Sequence, residues 1–138
     1  MKFTPEQLQI LNVLRDAIRE NAKNHGFNEP PKGVSEELWR SPDFDIIRAA
    51  IFTANQHGEA SEFWEAARKG KLGQHCDKSS EMLQHDLPPL TNAQEEIADE
   101  IIRALDKAAE FKVDAALAVA VKMAYNATRP YRHGGKQA

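Results

Sequence analysis

The chain lacks three features that would place it in well-known classes of protein. Its single cysteine, Cys76, excludes an internal disulfide framework. No apolar run approaches the roughly 18 residues that a membrane span needs, and the first residues, MKFTPEQLQ, contain no apolar signal-peptide core. There is also no strong excess of one charge, because the formal net charge is -3. We therefore expect a cytoplasmic protein whose partners are neither a membrane nor a nucleic-acid polymer.

The composition that is present is that of an ordinary folded domain. The 138 residues are 41% hydrophobic and 28% charged, which is typical of a globular chain long enough to bury its own core. We predict one domain over residues 1–138. Residues 1–40 would supply an N-terminal helix and a connector, and residues 41–138 would form the core.

Helix start signals recur along the chain. Thr4-Pro5-Glu6-Gln7 and Thr91-Asn92-Ala93-Gln94 each combine an N-cap threonine with a glutamine three residues later. Ser41-Pro42-Asp43 predicts another start, for a helix that runs to about Lys69, and Asp114 predicts the start of the last helix. These signals predict about four helices.

Apolar residues follow each start at helical spacing, and neither strand alternation nor a long repeat is present. The predicted core-facing stripes are Leu8, Leu11, Leu14 and Ile18; Phe44, Ile47, Ile51 and Ala54; Ile97, Ile101, Leu105 and Ala108; and Leu117, Val121 and Ala124. The sequence therefore predicts an all-α fold, a helical bundle. Residues 70–90 show no clear period and are predicted to form a long loop, of the kind that is often functional or mobile.

Two acids in the stretch HGEASEFWEA, residues 57–66, have no evident partner. Glu59 and Glu62 are three residues apart, so on a helix they share a face about one turn apart. Like charges at that spacing repel, and no basic residue stands one turn from either of them to offset the repulsion.

The helix predicted after residue 91 repeats this pattern with Glu96 and Asp99. Asp99 has Arg103 four residues further on as a candidate partner, whereas Glu96 has only Glu100 at that spacing. One interpretation is a solvated acidic surface, since negative charge in the first turns of a helix favours its dipole. The other is that the two pairs converge and hold a hard cation between them. Mg²⁺ suits such an all-oxygen site.

These acids, followed by a helix that leads into KMAYNATRPYRHGGK, resemble the MazG-like nucleotide pyrophosphohydrolases of the all-α NTP pyrophosphatase superfamily. The resemblance covers residues from about 44 to 136. It implies that Glu59, Glu62, Glu96 and Asp99 bind the metal, with Mg²⁺ the expected ion and Mn²⁺ its substitute. It also implies an enzyme in which water attacks the α-phosphorus of a nucleoside triphosphate and releases the monophosphate and pyrophosphate.

Two parts of the chain depart from the family pattern, namely the first 40 residues and the long loop over residues 70–90. Both leave the choice of substrate open. A narrower dUTPase-like or phosphoribosyl-ATP-like pyrophosphatase is one alternative, and a non-catalytic helical module that binds a nucleotide or a protein is another. The reaction needs a base that deprotonates water, and Glu59 or Glu62 is the catalytic candidate. The sequence does not separate ligand from base.

Basic and polar residues near the C-terminus form a second candidate site, for the substrate. The predicted substrate-binding residues are Lys122, Asn126, Arg129, Arg132, His133 and Lys136. The first three lie at i, i+4 and i+7, on one face of the last helix. Lysine and arginine suit phosphate oxygens, and asparagine suits a base or a sugar. The alternative is a frayed basic end of the chain.

We also expect a homo-oligomer, either a homodimer or a homotetramer. The predicted helices are few for enclosing a nucleotide, and the related bundles assemble in this way. The last helix carries small residues that permit close approach of a second helix: Ala115, Ala116, Ala118 and Ala120.

Overall fold

The computed structural model describes residues 2–130, which form six α-helices and no β-strand. The helices are α1 (Ile10–Asn24), α2 (Glu36–Trp39), α3 (Asp45–Arg68), α4 (Ser79–Gln84), α5 (Asn92–Glu110) and α6 (Ala115–Ala127). A 3-10 turn, Pro42–Phe44, leads into α3. The all-α prediction is confirmed for this part of the chain. The four expected helices correspond to α1, α3, α5 and α6, while α2 and α4 are too short for apolar periodicity to show.

Three of the four start signals form the contacts that their residue types predict, whereas Ser41 makes no side-chain cap hydrogen bond and is followed by the 3-10 turn. Before α1, the Thr4 backbone N–H donates to Gln7 Oε1 at 2.8 Å, and the Gln7 N–H donates to Thr4 Oγ1 at 3.3 Å. The same reciprocal pair forms before α5, between Thr91 and Gln94, at 2.9 and 3.2 Å. Asp114 accepts from the Leu117 N–H at 3.0 Å and so begins α6. The caps at Thr91 and Asp114 satisfy backbone donors that have no partner inside α5 and α6. The Thr4–Gln7 pair stands before a turn, and α1 begins only at Ile10, later than this start signal predicts.

None of the helices within residues 2–130 combines the length and the apolar composition that crossing a membrane requires.

The described residues divide into two compact units. Residues 2–25 and 105–130 form one, which we call the terminal unit, and Gly26–Ala104 form the other, the central unit. The terminal unit contains α1, the end of α5 and α6. The central unit contains α2, α3, α4 and the start of α5. That residues 1–138 make a single domain stays a prediction.

Buried polar residues link α1 to the other helices of the terminal unit. Asn12 donates to Asp114 Oδ1 at 2.9 Å and accepts from the Ala116 N–H at 3.2 Å, so its amide ties α1 to the start of α6. Arg19 lies against Asp106 at 3.2 Å and Glu110 at 2.9 Å, both on α5. The buried amide of Asn12 thus has hydrogen-bond partners, and the two acids on α5 share a cation.

The faces of α6 differ in part from the prediction. Ala115, Ala116 and Ala120 are buried within the chain, so of the four alanines that we expected to face a second copy Ala118 is the one exposed. Leu117 and Val121, predicted to face the core, are 47% and 58% exposed. Apolar residues occupy both faces of this helix, and periodicity alone does not choose between them. The smaller side chains take the buried face because they permit close packing.

The buried face of α3 in the central unit also differs from the prediction. Ile47 and Ile51 are exposed, whereas Arg48, Phe52 and Glu59 are buried. The Arg48 guanidinium donates to the Trp39 carbonyl and pairs with Asp45, and Trp39 is itself buried. The chain just before α3 therefore folds onto Arg48, a contact over nine residues that an apolar pattern does not reveal.

Further along, Ile97 and Ile101 on α5 are also exposed, and of the predicted stripe Leu105 is buried.

Backbone hydrogen bonds join the predicted loop over residues 70–90 to the start of α5. The Cys76 N–H donates to the Leu90 carbonyl at 2.9 Å, and the Asn92 N–H donates to the Gln74 carbonyl at 2.8 Å. The Ala93 N–H reaches the Leu72 carbonyl at 3.0 Å. These bonds, with the short helix α4, give the segment a defined conformation beside the first turn of α5.

Candidate metal centre and the adjoining pocket

Three carboxylates from two helices converge in the central unit. One oxygen from each of Glu59 on α3 and Glu96 and Asp99 on α5 lies within 4.8 Å of the other two. The i, i+3 spacing on α5 puts two of these acids on one face, and α3 supplies the third. The structure thus brings together three of the four acids that the sequence singled out.

Glu59 is buried and has a cationic partner. Arg103 Nε donates to Glu59 Oε1 at 2.8 Å. The sequence suggested Asp99 as the partner of Arg103, four residues away on the same helix. In the structure the hydrogen bond of Arg103 goes to the acid on the other helix instead, so Arg103 joins α5 to α3.

The other two acids are poorly compensated. Burial and the neighbouring Glu59 raise the pKa of Asp99, and Lys78 only partly opposes this. Burial raises the pKa of Glu96 to about 7, with further contributions from the negative charges of Glu62 and Glu95 and from hydrogen bonding to Glu62. Both shifts have the same two causes: burial removes water from the carboxylates, and neighbouring negative charges repel them.

One oxygen of Glu96 has no partner. Its Oε2 atom is shielded from solvent and accepts no hydrogen bond from any of the residues 2–130. A buried carboxylate oxygen without a donor is unfavourable by itself. A cation at this position would satisfy it.

Glu62, the fourth predicted acid, stands beside this group rather than within it. It is exposed, and it lines a cavity of about 490 Å³ together with Glu96. Its negative charge and its hydrogen bonding with Glu96 help to raise the pKa of that neighbour. Glu62 therefore lies between the three converging carboxylates and the open space.

The donor set fits Mg²⁺. The ion prefers oxygen ligands, binds through a few carboxylates and keeps places for water and phosphate oxygens. Glu59, Glu96 and Asp99 offer such oxygens within 4.8 Å of one another, and burial together with neighbouring negative charges raises the pKa values of Glu96 and Asp99. The same donors also fit Mn²⁺.

Comparisons with models of known protein families, with curated proteins and with solved structures found no match. The resemblance to the MazG-like enzymes therefore stays a prediction that rests on the sequence motifs.

The cavity beside Glu62 and Glu96 has a wall that was not predicted from the sequence. Residues from the end of α3, from the segment 71–78 and from the start of α5 line it. Among them are three lysines, Lys69, Lys71 and Lys78. The stretch KGKLGQHCDK does carry a local signal, since three lysines stand among glycines in a segment without apolar periodicity. Nothing in it shows which helix the lysines would face.

The predicted substrate-binding residues near the C-terminus fall into two groups. Lys122, Asn126 and Arg129 are exposed residues of the terminal unit, and the Lys122 ammonium lies 5.0 Å from the centre of the Tyr125 ring. Lys122 and Asn126 lie on α6, as predicted, and Arg129 follows its end. The remaining three, Arg132, His133 and Lys136, lie outside the described residues.

Proposed function

We propose that this protein is a Mg²⁺-dependent nucleoside triphosphate pyrophosphohydrolase of the all-α NTP pyrophosphatase type, working in the cytoplasm. It would cleave the bond between the α- and β-phosphates of a nucleoside or deoxynucleoside triphosphate. The observation that carries the proposal is the convergence of three carboxylates from α3 and α5 within 4.8 Å. All three of these acids are among the four that the sequence singled out for this chemistry.

Glu59, Glu96 and Asp99 would hold the ion. When bound, Mg²⁺ supplies the positive charge that phosphate oxygens need and makes a nearby water more acidic. The role of the chain is to bring these oxygens together on two helices before the substrate arrives. Arg103 supports this role, because its hydrogen bond to Glu59 fixes the acid on α3 relative to those on α5.

Glu62 is the better candidate for the base of the two that the sequence left open. Glu59 is buried, and one of its oxygens already accepts from Arg103. Glu62 lines the cavity beside Glu96, and no cation among the described residues forms an ion pair with it. A carboxylate that faces open space can accept a proton from water and release it to solvent.

The test is a panel of the common nucleoside and deoxynucleoside triphosphates with Mg²⁺, in which monophosphate and pyrophosphate are both measured. We expect equal amounts of the two products. Release of inorganic phosphate with a diphosphate, and no pyrophosphate, would contradict the proposed bond. Strong preference for one substrate would assign a narrower activity, such as that of a dUTPase or a phosphoribosyl-ATP pyrophosphatase.

One observation favours a rival function, that of a non-catalytic helical module. Glu59 is neutralised by Arg103, and Glu95, adjacent to the cluster in sequence, pairs with Lys78. In this alternative the protein's own cations serve in place of a metal. It predicts that Mg²⁺ neither binds to the chain nor changes its melting temperature. Calorimetric titration of the purified protein with MgCl₂ separates the two functions.

We also propose that the enzyme is a homo-oligomer, with the homodimer as its simplest form. Large apolar side chains are exposed on several helices, and on α6 Leu117, Val121 and Tyr125 line one shallow apolar cavity of about 580 Å³. A patch of this kind on a single chain indicates a protein contact. Light scattering at micromolar concentration should give at least twice the monomer mass, and Val121→Lys should lower it. A monomeric, fully active protein would contradict this.

A further inference from the structure

In one wall of the cavity beside the acids, hydrogen bonds hold the backbone of Lys71 in place. The Lys71 N–H donates to the Ala66 carbonyl at 2.9 Å, and the Lys71 carbonyl accepts from Asn92 Nδ2 at 2.9 Å and from the Gln74 N–H at 3.0 Å. These bonds join the end of α3, the segment 71–78 and the start of α5. The position of Lys71 is therefore set by three parts of the central unit at once.

The side chain of Lys71 is free, unlike those of its neighbours. Lys69 pairs with Glu65 at 2.9 Å, and Lys78 pairs with Glu95. Among residues 2–130, no hydrogen bond or ion pair is made by the ammonium of Lys71, an exposed residue that lines the cavity. A lysine with a fixed backbone and an unused charge is well placed to bind an anion.

The rest of the lining favours a small, strongly polar ligand. Gln74, His75 and Asn92 add amide and imidazole groups, and no Phe, Tyr or Trp of the described residues lines the cavity. A nucleobase is usually held by stacking on aromatic side chains, which this wall does not offer. The volume of about 490 Å³ leaves room for two phosphate groups with their water.

The charges that line the cavity favour a phosphate ligand that binds together with a cation. Once the pairs of Lys69 and Lys78 are set aside, the lining retains the cation of Lys71 against the acids Glu62, Asp77 and Glu96. This surplus of negative charge repels a free polyphosphate. A polyphosphate that arrives with a divalent cation meets the opposite situation, because the cation offsets the acids while Lys71 reaches the phosphate oxygens.

We infer that this cavity is a binding site for a pyrophosphoryl group together with a divalent cation, and that Lys71 is its specific phosphate contact. The inference rests on the proposed function, in which the cavity would receive the β- and γ-phosphates of the substrate and then the pyrophosphate product. It assigns a role to the segment 71–78, which the family pattern leaves unexplained.

The experiment is calorimetric titration of the full-length protein with inorganic pyrophosphate, in Mg²⁺ and in EDTA. The unaltered protein should bind pyrophosphate in Mg²⁺ and not in EDTA. Lys71→Ala should weaken binding by about tenfold to a hundredfold, since the lost contact is a hydrogen bond between charged groups. Lys71→Glu should weaken it more. Lys32→Ala, which removes an exposed lysine of the same unit outside the cavity, should leave binding unchanged.

The outcomes separate this inference from the proposed function. If nucleotides are hydrolysed and Lys71→Ala binds pyrophosphate as the unaltered protein does, the inference is wrong and the function stands. If pyrophosphate binds through Lys71 but no nucleotide is hydrolysed, the function is wrong and the binding site stands. No binding of pyrophosphate in Mg²⁺, or equal binding in EDTA, overturns the inference. Thermal unfolding curves of the variants, measured in parallel, show whether each remains folded.

Discussion

Each unit of the molecule buries carboxylates, but the two units treat them differently. In the terminal unit, Asp106 and Glu110 both lie against Arg19, and their side chains are 8% and 2% exposed. In the central unit, Glu96 and Asp99 lie near Glu59, with only part of the negative charge offset, and their pKa values are raised. The first arrangement, which we call the complete cluster, has a cation beside both acids, although Asp106 Oδ1, 3.2 Å from Arg19 Nε, accepts no hydrogen bond from residues 2–130. The second arrangement, which we call the incomplete cluster, is unfavourable without a bound cation, and we expect the function of the protein to depend on it.

The strongest test of this comparison is to remove charge from the incomplete cluster. Glu96→Gln keeps the shape of the side chain but loses a metal-binding oxygen. We expect nucleotide turnover to fall by at least about a hundredfold, while stability without metal stays the same or rises because repulsion is relieved. Pyrophosphate release and urea unfolding measure the two effects.

Glu100→Gln is the matched control on the same helix, one turn further on, and should retain turnover. Glu62→Gln should behave like Glu96→Gln. If both of these variants keep nearly normal activity, the acids are only a charged surface and the difference between the two units has no functional meaning.

Removing the cation from the complete cluster, which consists of Arg19, Asp106 and Glu110, should lower the stability of the fold and leave nucleotide turnover unchanged. Arg19→Ala leaves Asp106 and Glu110 buried without their shared cation, and breaking a buried pair typically costs about 3–5 kcal/mol. Urea unfolding of this variant should show a loss of that order. Arg103→Ala in the central unit should lose less, because the Arg103 side chain is 40% exposed. Equal losses in the two variants would show that both clusters are structural.

The two units also show which features the sequence can predict. The starts of α5 and α6 were predictable because a cap such as Thr91 with Gln94 is a local contact between neighbours in the chain. The i, i+3 spacing placed Glu96 and Asp99 on one face of α5, but it left open whether the two acidic pairs would converge, and Glu62 lies outside the group of three. The partner of Arg103 was not predictable from the sequence, because Arg103 donates its hydrogen bond to Glu59 on another helix and not to Asp99. The wall of the cavity depends on bonds such as that from Cys76 to Leu90, which join residues far apart in sequence.

The basic residues allow a finer comparison, since each unit holds a candidate for binding phosphate. Arg129 of the terminal unit is exposed. Arg129→Ala should lower kcat/KM by about tenfold to a hundredfold, the effect of losing one hydrogen bond between charged groups, with little change in stability. Deletion of the residues after Arg132 should also weaken substrate binding, to a smaller extent. Parental kcat and KM in both variants would leave Lys71 of the central unit as the candidate.

The smallest expected effect is a pH dependence that only the incomplete cluster should show. The pKa of Glu96 is raised from 4.5 to about 7 in the folded protein, so the folded state holds this proton more tightly than the unfolded state does. For an acid shifted in this direction, the contribution to stability is fully present below about 4.5 and is lost as the pH rises through about 7. Asp99 is shifted in the same direction.

Other acids also titrate, so the informative quantity is the difference in melting temperature between Glu96→Gln and the unaltered protein without metal. The variant should gain on the order of a few degrees at pH 8 and much less at pH 5, since at pH 5 Glu96 is itself protonated. Mg²⁺ binds the ionised carboxylate, so at pH 8 it should raise the melting temperature of the unaltered protein and should have little effect on the variant. Arg19, Asp106 and Glu110 form no such site, and substitution there should not change the response to Mg²⁺. A difference that is constant from pH 5 to pH 8, together with no effect of Mg²⁺, would mean that the two clusters are alike.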